Sequence, residues 1–405
     1  MSSIPQTPDY DVIIVGAGVG GTACALALVH GRNLRVLLIE RHEGPGNINR
    51  GESLLPPVTA LLKKWGALDR CIAAGARPIN TMQFFHYRDG LLLDVPLALP
   101  KVDDPYLVLP HPQIECAFVE SAVATGRVEI RYRTSLLSLI EEEGRVRGVR
   151  VKGSDGNEQQ LSCRVVIGAD GANSKVRTGL GIEVQRSPYN HSLFIVDIDR
   201  PAGMPDVLRT EMHPDGGVLV VPGFNRLGLA AVIRREHEHL FRSGSIEERY
   251  AHMVGRSPLF MCRRPVAEGA HLYKLWRAHA PRYSARGAVL LGDAVHVINP
   301  VMAQGMTMAI EDAAALARRL GAALEGNATA AGIDACFAAY ERERRPYNAG
   351  IIRSSHWMSR LFALGGPGGD FVHRLAFKFA GSPAGSFIQD RIWSSFAKSP
   401  EPEYG

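Results

Sequence analysis

Gly16, Gly18 and Gly21 fall at the spacing G-x-G-x-x-G, with Gly20 inside the same run and Glu40 further on. That set suits a dinucleotide. The first glycine permits a tight turn, the second lets the backbone approach a pyrophosphate, and the third lets a helix pack on a strand; an acid about 20 residues on meets a ribose hydroxyl. NAD and FAD share this fingerprint, and Glu40 speaks only against a phosphate on that ribose. Two more carboxylates stand beside glycines far down the chain, in Asp170-Gly171 and Gly292-Asp293, with His296 close after the second. An aspartate before glycine is by itself a turn signal. His296 reads as a structural hydrogen-bonding residue, because redox chemistry belongs to a cofactor rather than to an imidazole base.

Such residues need a scaffold, and the flanking segments predict one. Residues 11–15 are a short apolar run of the kind buried in a parallel sheet. Residues 22–29 are small and apolar, a helix whose free amides and dipole would face the phosphates. A second strand over 35–39 delivers Glu40, a third over 164–167 delivers Asp170, and a fourth over 288–291 delivers Gly292-Asp293. Helical character is predicted over 58–68, 113–125 and 304–320, with strands around turns at 141–144 and 154–156. Residues 81–107 alternate and carry Arg88-Asp89-Gly90, a hairpin signal, while 189–262 are strand-rich with Gly216-Gly217 between two β-like runs. The simplest parse is an α/β chain. Its nucleotide-binding domain takes 1–78, 108–182 and 282–345, a β-rich domain inserted twice takes 79–107 and 183–281, and a helical segment takes 346–405.

Composition limits the alternatives. The 405 residues are 46% hydrophobic and 21% charged with a net charge of +5, which suits a globular protein and gives no basic patch for nucleic acid. The densest basic stretch, Arg342, Arg344 and Arg345, alternates with Glu341 and Glu343 and reads as a solvated helix face. Six cysteines (Cys24, Cys71, Cys116, Cys163, Cys262 and Cys336) form no C-x-x-C, so neither a metal site nor a disulfide framework is expected. Polar residues 2–10 lead into the first strand without an export signal, and no run of 18 apolar residues occurs. A cytoplasmic protein without stable membrane insertion is expected, with peripheral membrane contact left open.

Taken in order, the three motifs resemble those of class A flavin-dependent aromatic hydroxylases, the single-component monooxygenases of the p-hydroxybenzoate hydroxylase type. The resemblance spans roughly residues 8–350. It rests on the glycine run, on Gly168 to Arg177, and on Leu290-Leu291-Gly292-Asp293-Ala294-Val295-His296 followed by Pro300, with flanks at 275–283 and 340–346. It implies a Rossmann-like FAD-binding domain with an inserted β-rich substrate domain and C-terminal helices, FAD as cofactor, and NADH or NADPH as a transient reductant. It further implies that Glu40 holds the adenosine ribose with Arg41 beside it, that Arg50 lines the flavin and nicotinamide entrance, and that Gln113 touches the FAD. Leu136 would offer its backbone to adenine, Asp293 would bind the ribityl chain or pyrophosphate, Asp170 would brace the fold, and Pro300 would cover the flavin ring. Gln304, Gly305 and Met306 begin a helix whose free N–H groups would face the flavin N1 and C2 carbonyl and stabilise its reduced, anionic form. Ala303 departs from a common glycine and Thr307 from a common asparagine.

The implied reaction is hydroxylation of an electron-rich ring by dioxygen through a flavin C4a-hydroperoxide. Expected partners are dioxygen and a small aromatic, quinone or polyketide-like molecule, with no nucleic acid and a monomer or homodimer. Substrate-side candidates from the inserted block are His191, His213, Arg226 and Tyr106. Phe371, Leu375 and Phe379, at helical spacing with Arg374 and Lys378 between, are expected to pack in a core; a membrane face there would instead favour a greasy quinone or phenol. Rival readings are a halogenase, suggested by residues 51–56 but lacking W-x-W-x-I-P, a reductase or dehydrogenase of the same superfamily, and a catalytically idle flavin-binding partner.

Overall fold

The structure, a computed structural model, describes residues 7–46, 53–97, 104–223, 226–254, 265 and 270–387. Strand Tyr10–Val15 pairs in parallel with Glu158–Gly168 on one side and Val36–Ile39 on the other. Val128–Arg131 extends the sheet beyond Val36–Ile39, and Ala288–Leu290 extends it beyond Glu158–Gly168. Three separated stretches of chain therefore build one parallel sheet. Its strands are continuous apolar runs because both faces are covered, and Val12, Ile13, Ile14, Leu37 and Val166 are almost fully buried. Strands Ser135–Glu142 and Arg145–Lys152 form an antiparallel meander with the first half of Glu158–Gly168. Helix Val19–Val29 is buried nearly all round, packed against helices His111–Val123 and Gly305–Glu325.

The second sheet has eight strands in the order His296–Val297, His271–His279, Ser187–Asp199, Arg226–Arg234, Gly216–Pro222, Leu208–His213, Thr81–His86 and Gly90–Pro96. The hairpin around Arg88-Asp89-Gly90 joins it through a parallel pairing of Thr81–His86 with Leu208–His213. Strand His296–Val297 follows Gly292-Asp293 directly, so the third motif is the junction between the two sheets. One face of the second sheet packs on Phe241, Tyr250 and Met253, and the other on Phe362, Phe377 and Ala380.

Three expectations need correction. Within the stretch read as strand-rich, residues 235–254 are largely helical, in His239–Arg242 and Ile246–Val254; these short helices cover apolar residues of the sheet and leave too few turns for a clear period. Arg344 is not on a solvated face but fully buried, because helix Ala330–Phe362 lies against Gly305–Glu325 with Phe337, Tyr340, Arg344 and Asn348 inward. Phe371, Leu375 and Phe379 are exposed rather than packed, since helix Gly366–Ala380 turns Asp370, His373 and Phe377 inward instead. Helix Ala330–Phe362 also runs through Pro346, where the sequence parse ends the nucleotide-binding stretch.

Candidate functional site

The glycines bring the three motifs together. Gly16 has φ +103°, and a Cβ there would lie 2.4 Å from the Ala169 carbonyl, so the first turn touches the loop carrying Asp170. A Cβ on Gly21 would meet the Gly16 carbonyl at 1.9 Å, the close helix–strand approach the third glycine exists to permit. Gly20 and Gly292 each face Ala309, where a Cβ would stand 3.2 Å from its side chain, so the first and third motifs meet on helix Gly305–Glu325. Gly18 is the exception. Among the described residues a Cβ there would find only Glu115 Oε1, at 3.6 Å, which leaves space in front of the loop.

Glu40 is anchored at the end of its strand: the Ala17 N–H donates to Oε2 at 2.9 Å and the His42 N–H to Oε1 at 3.0 Å. Each oxygen keeps a lone pair for a hydroxyl donor. Arg41 is exposed next to it, with Nε 3.0 Å from His42 Nε2. Gln113 is exposed in the first turn of helix His111–Val123. Two residues on, the buried Glu115 accepts from the Gly46 N–H at 3.1 Å and bonds His111 Nε2 at 3.1 Å. Sequence reasoning missed Glu115 and His111, and nothing local signals them. Leu136 is buried, and its carbonyl accepts from Lys175 Nζ at 3.1 Å. Arg50 lies outside the described residues.

Asp170 caps the short helix Lys175–Gly179, accepting from the Lys175 and Val176 N–H groups at 2.6 and 3.1 Å and from Ser174 Oγ at 2.5 Å. Burial pushes its carboxyl above the usual range, with these donors pulling the other way. Arg177 donates to the Ala172 carbonyl at 3.0 Å and to the Ala294 carbonyl at 2.7 Å, tying the second motif to the third.

The third motif hangs on a buried charge network. Asp312 accepts from the Gly292 N–H at 3.2 Å, from Asn348 Nδ2 at 3.0 Å and from Arg344 Nε at 2.8 Å, and lies 2.6 Å from His296 Nε2. Burial alone would raise its carboxyl, but the His296 and Arg344 charges outweigh it and hold it well below the ordinary carboxylate range. His296 is itself buried, at 1% exposure, inside this network. Asp293 is exposed, and so is Pro300, beyond the edge strand.

Helix Gly305–Glu325 starts at Gln304, whose buried Nε2 has no hydrogen-bond partner among the described residues, and neither has Thr307 Oγ1 one turn in. Buried polar groups are seldom left so. Ala303, just before, has φ +51°, a left-handed backbone that glycine adopts freely and that strains alanine by about 1 kcal/mol. Ala303→Gly is therefore expected to raise the unfolding free energy by up to about 1 kcal/mol, read by denaturant titration.

Comparison with known proteins decides what this arrangement belongs to. The FAD binding domain family matches residues 9–355. The chain belongs to that family. The glycine cradle, the space before Gly18 and the orphaned polar atoms at Gln304 and Thr307 all fit FAD. A 3-hydroxybenzoate 6-hydroxylase of Klebsiella oxytoca is 28% identical over 87% of this chain and 89% of its own. The mitochondrial ubiquinone biosynthesis monooxygenase COQ6 of Xenopus tropicalis is 26% identical over 87% of this chain and 86% of its own. The crystal structure of p-nitrophenol 4-monooxygenase PnpA from Pseudomonas putida DLL-E4 matches at a TM-score of 0.80, with 20% identity over 96% of this chain and 97% of that one. The family resemblance, the Rossmann-like α/β fold and the choice of FAD over NAD as resident cofactor are thus borne out.

Around this family's FAD-binding core, the four substrate-side candidates do not converge. His191 is buried with Nε2 2.7 Å from Ser359 Oγ and 3.3 Å from Asn299 Nδ2, next to Pro300. Tyr106 packs among Leu55, Ile79 and Leu208, and burial pushes its phenol up to about 12. His213 sits 3.3 Å from Glu211, beside Tyr87, and Arg226 is half exposed near Asp197 at the end of its strand. Of the four, His191 alone bonds a residue adjoining Pro300. Burial, helped by the His356 charge, pushes its pKa down to about 4, and burial does the same to His279. Both imidazoles take a proton in the unfolded chain below about 6.5 but not in the folded one. Stability should therefore fall as pH drops from 6.5 to about 4, with a shallower slope in His191→Asn, measured by thermal melts across that window.

Proposed function

We infer that this chain is an FAD-dependent monooxygenase that uses NADH or NADPH and dioxygen to hydroxylate a small, uncharged aromatic molecule. The observation that carries the reading is the meeting of the three motifs around helix Gly305–Glu325, in a chain of the FAD binding domain family. FAD, when bound, supplies the redox and oxygen chemistry. The protein's share is positioning. Glu40 and Arg41 would hold the adenosine end, the amides after Gly18 the pyrophosphate, and Asp293 the ribityl chain. Gln304, Gly305 and Met306 would set their N–H groups and the positive helix end against the flavin's pyrimidine edge, favouring negative charge there.

The substrate class follows from the second sheet. Ile195, Ala230, Leu219, Thr210 and Phe84 form one cross-strand row. Ile195, Ala230 and Phe84 join the apolar cluster that includes Val301, next to Pro300. These five side chains include no ionisable group, the row ending beyond Ile195 at the exposed His271, and burying an unpaired carboxylate among them would be costly. An uncharged aromatic ring would suit such a lining, and exclusion of water there would protect the oxygen-transfer step. The test is anaerobic spectroscopy. The yellow protein should bleach with NADH or NADPH and recover in air, bleaching faster with an uncharged phenol than with a hydroxybenzoate. Heavy oxygen from labelled dioxygen should appear in the product; its absence from any product would favour a dehydrogenase, and faster bleaching with the hydroxybenzoate would overturn the substrate class.

A further inference from the structure

Helix Gly366–Ala380 buries Gly369, Asp370, His373, Phe377 and Ala380 on one face. At 100° per residue the opposite face carries Phe371, Leu375 and Phe379, which are 62%, 59% and 45% exposed, with Val372 at its border. Leu364 in the preceding turn is exposed, and so are Trp357 at 64% and Phe387 at 60%. Seven of the twelve large apolar side chains exposed among the described residues thus lie between 357 and 387. Tyr87 and Leu91 adjoin them, because Arg374 and Lys378 hold Asp89 of the hairpin turn at 2.7 and 2.9 Å. Large exposed apolar patches with polar rims mark sites of interaction.

The charge bordering this patch is mainly positive: Asp89 of the hairpin pairs with Arg374 and Lys378, while Arg353 and Arg360 stand on helix Ala330–Phe362. From 346 to 387 the acidic residue is Asp370 alone, and it is buried 2.7 Å from His86. Arg353, Arg360, Arg374 and Lys378 are the cations, and Arg360 stacks 5.6 Å from the Trp357 ring. A two-fold contact with a second copy would set this patch against itself, cation against cation. An apolar band with exposed aromatics and a cationic border suits an anionic bilayer surface, where rings sink to the headgroup boundary and Lys and Arg meet phosphates. No helix among the described residues is long and apolar enough to cross a membrane. The family match ends at residue 355, so helix Gly366–Ala380 lies outside it.

We propose that the outer face of helix Gly366–Ala380, with Trp357 and Phe387, docks this protein on anionic phospholipid bilayers. The inner face of the same helix supplies Phe377 and Ala380 to the cluster holding Ile195, Ala230 and Val301. One helix diameter, about 10 Å, therefore separates the docked surface from the proposed substrate row. This last connection rests on the functional reading; the docking does not.

Full-length, flavin-loaded protein is sedimented with vesicles of phosphatidylcholine alone or mixed with phosphatidylglycerol. Binding to the mixed vesicles is expected, weakening with salt, and falling roughly tenfold or more in Phe371→Ser/Leu375→Ser as inserted apolar area is lost. Those residues are exposed, so the variant should keep its flavin and thermal midpoint. Arg353→Glu/Arg360→Glu should lose the preference for anionic vesicles. The proposal is overturned if the wild type does not pellet, if Phe371→Ser/Leu375→Ser pellets equally, or if headgroup charge makes no difference. Light scattering showing a dimer that Phe371→Ser/Leu375→Ser dissociates would reassign the face to a second copy.

Discussion

Gly18→Val is expected to fold normally and to lose FAD. The backbone at Gly18 is extended, with φ −67° and ψ 178°, a region a β-branched residue adopts without strain. Among the described residues the nearest atom to an added Cβ is Glu115 Oε1 at 3.6 Å, an ordinary contact, so the fold accommodates a Cβ there without a clash. That room is where the backbone must approach the pyrophosphate, and two methyl groups would hold the phosphates off the helix amides. Affinity should fall by at least about 100-fold, equivalent to about 2.7 kcal/mol, in a fluorescence titration of apoprotein with FAD. The apoprotein's unfolding midpoint should stay within about 0.5 kcal/mol of wild type. Gly21→Ala is the contrast: its Cβ would stand 1.9 Å from the Gly16 carbonyl, so it should fail to fold rather than fold without flavin. Full flavin occupancy in Gly18→Val would remove the pyrophosphate from this loop.

The part of the site that was legible in the sequence is the part built from buried parallel strands. Such strands are continuous apolar runs ending in functional turns, so 11–15, 164–167 and 288–291 announced both themselves and the residues they deliver. Ala303 was legible as a departure, and its backbone is left-handed. What failed was the assignment of helix faces. Phe371, Leu375 and Phe379 repeat as a buried stripe would, but Asp370 and His373 go inside because His86 and the Leu361 carbonyl satisfy them, each at 2.7 Å. Arg344 misled in the opposite sense. Alternating Arg and Glu looks solvated, yet Phe337, Tyr340, Arg344 and Asn348 step along one face, and partners twenty or more residues away made that face the inner one. Spacing gives a stripe; the partner across the interface decides whether it is covered.

Those partners make Arg344→Met the substitution with the largest expected effect on stability. The Arg344 guanidinium lies 2.8 Å from Asp312 and 2.9 Å from Glu311, all three buried. Removing one member of a buried ion cluster costs about 3–5 kcal/mol, and here Asp312 keeps His296 and Asn348 but both buried carboxylates lose their shared cation. The damage reaches the flavin because Asp312 also holds the Gly292 N–H and His296 at the third motif. Arg344→Met should therefore lower the denaturant midpoint at neutral pH and release FAD below the temperature of global unfolding. Adding Asp312→Asn should recover part of the loss, since it removes one of the carboxylates that lost that cation. The pH dependence gives an independent sign. Without the guanidinium Asp312 keeps His296 but loses one of the two charges that hold its carboxyl down, so its folded and unfolded proton affinities move closer and stability should fall less steeply on acidification than in the wild type. A variant that instead weakens in parallel with the wild type on acidification would mean that Arg344 fills space in this network without offsetting the charge of Asp312 and Glu311.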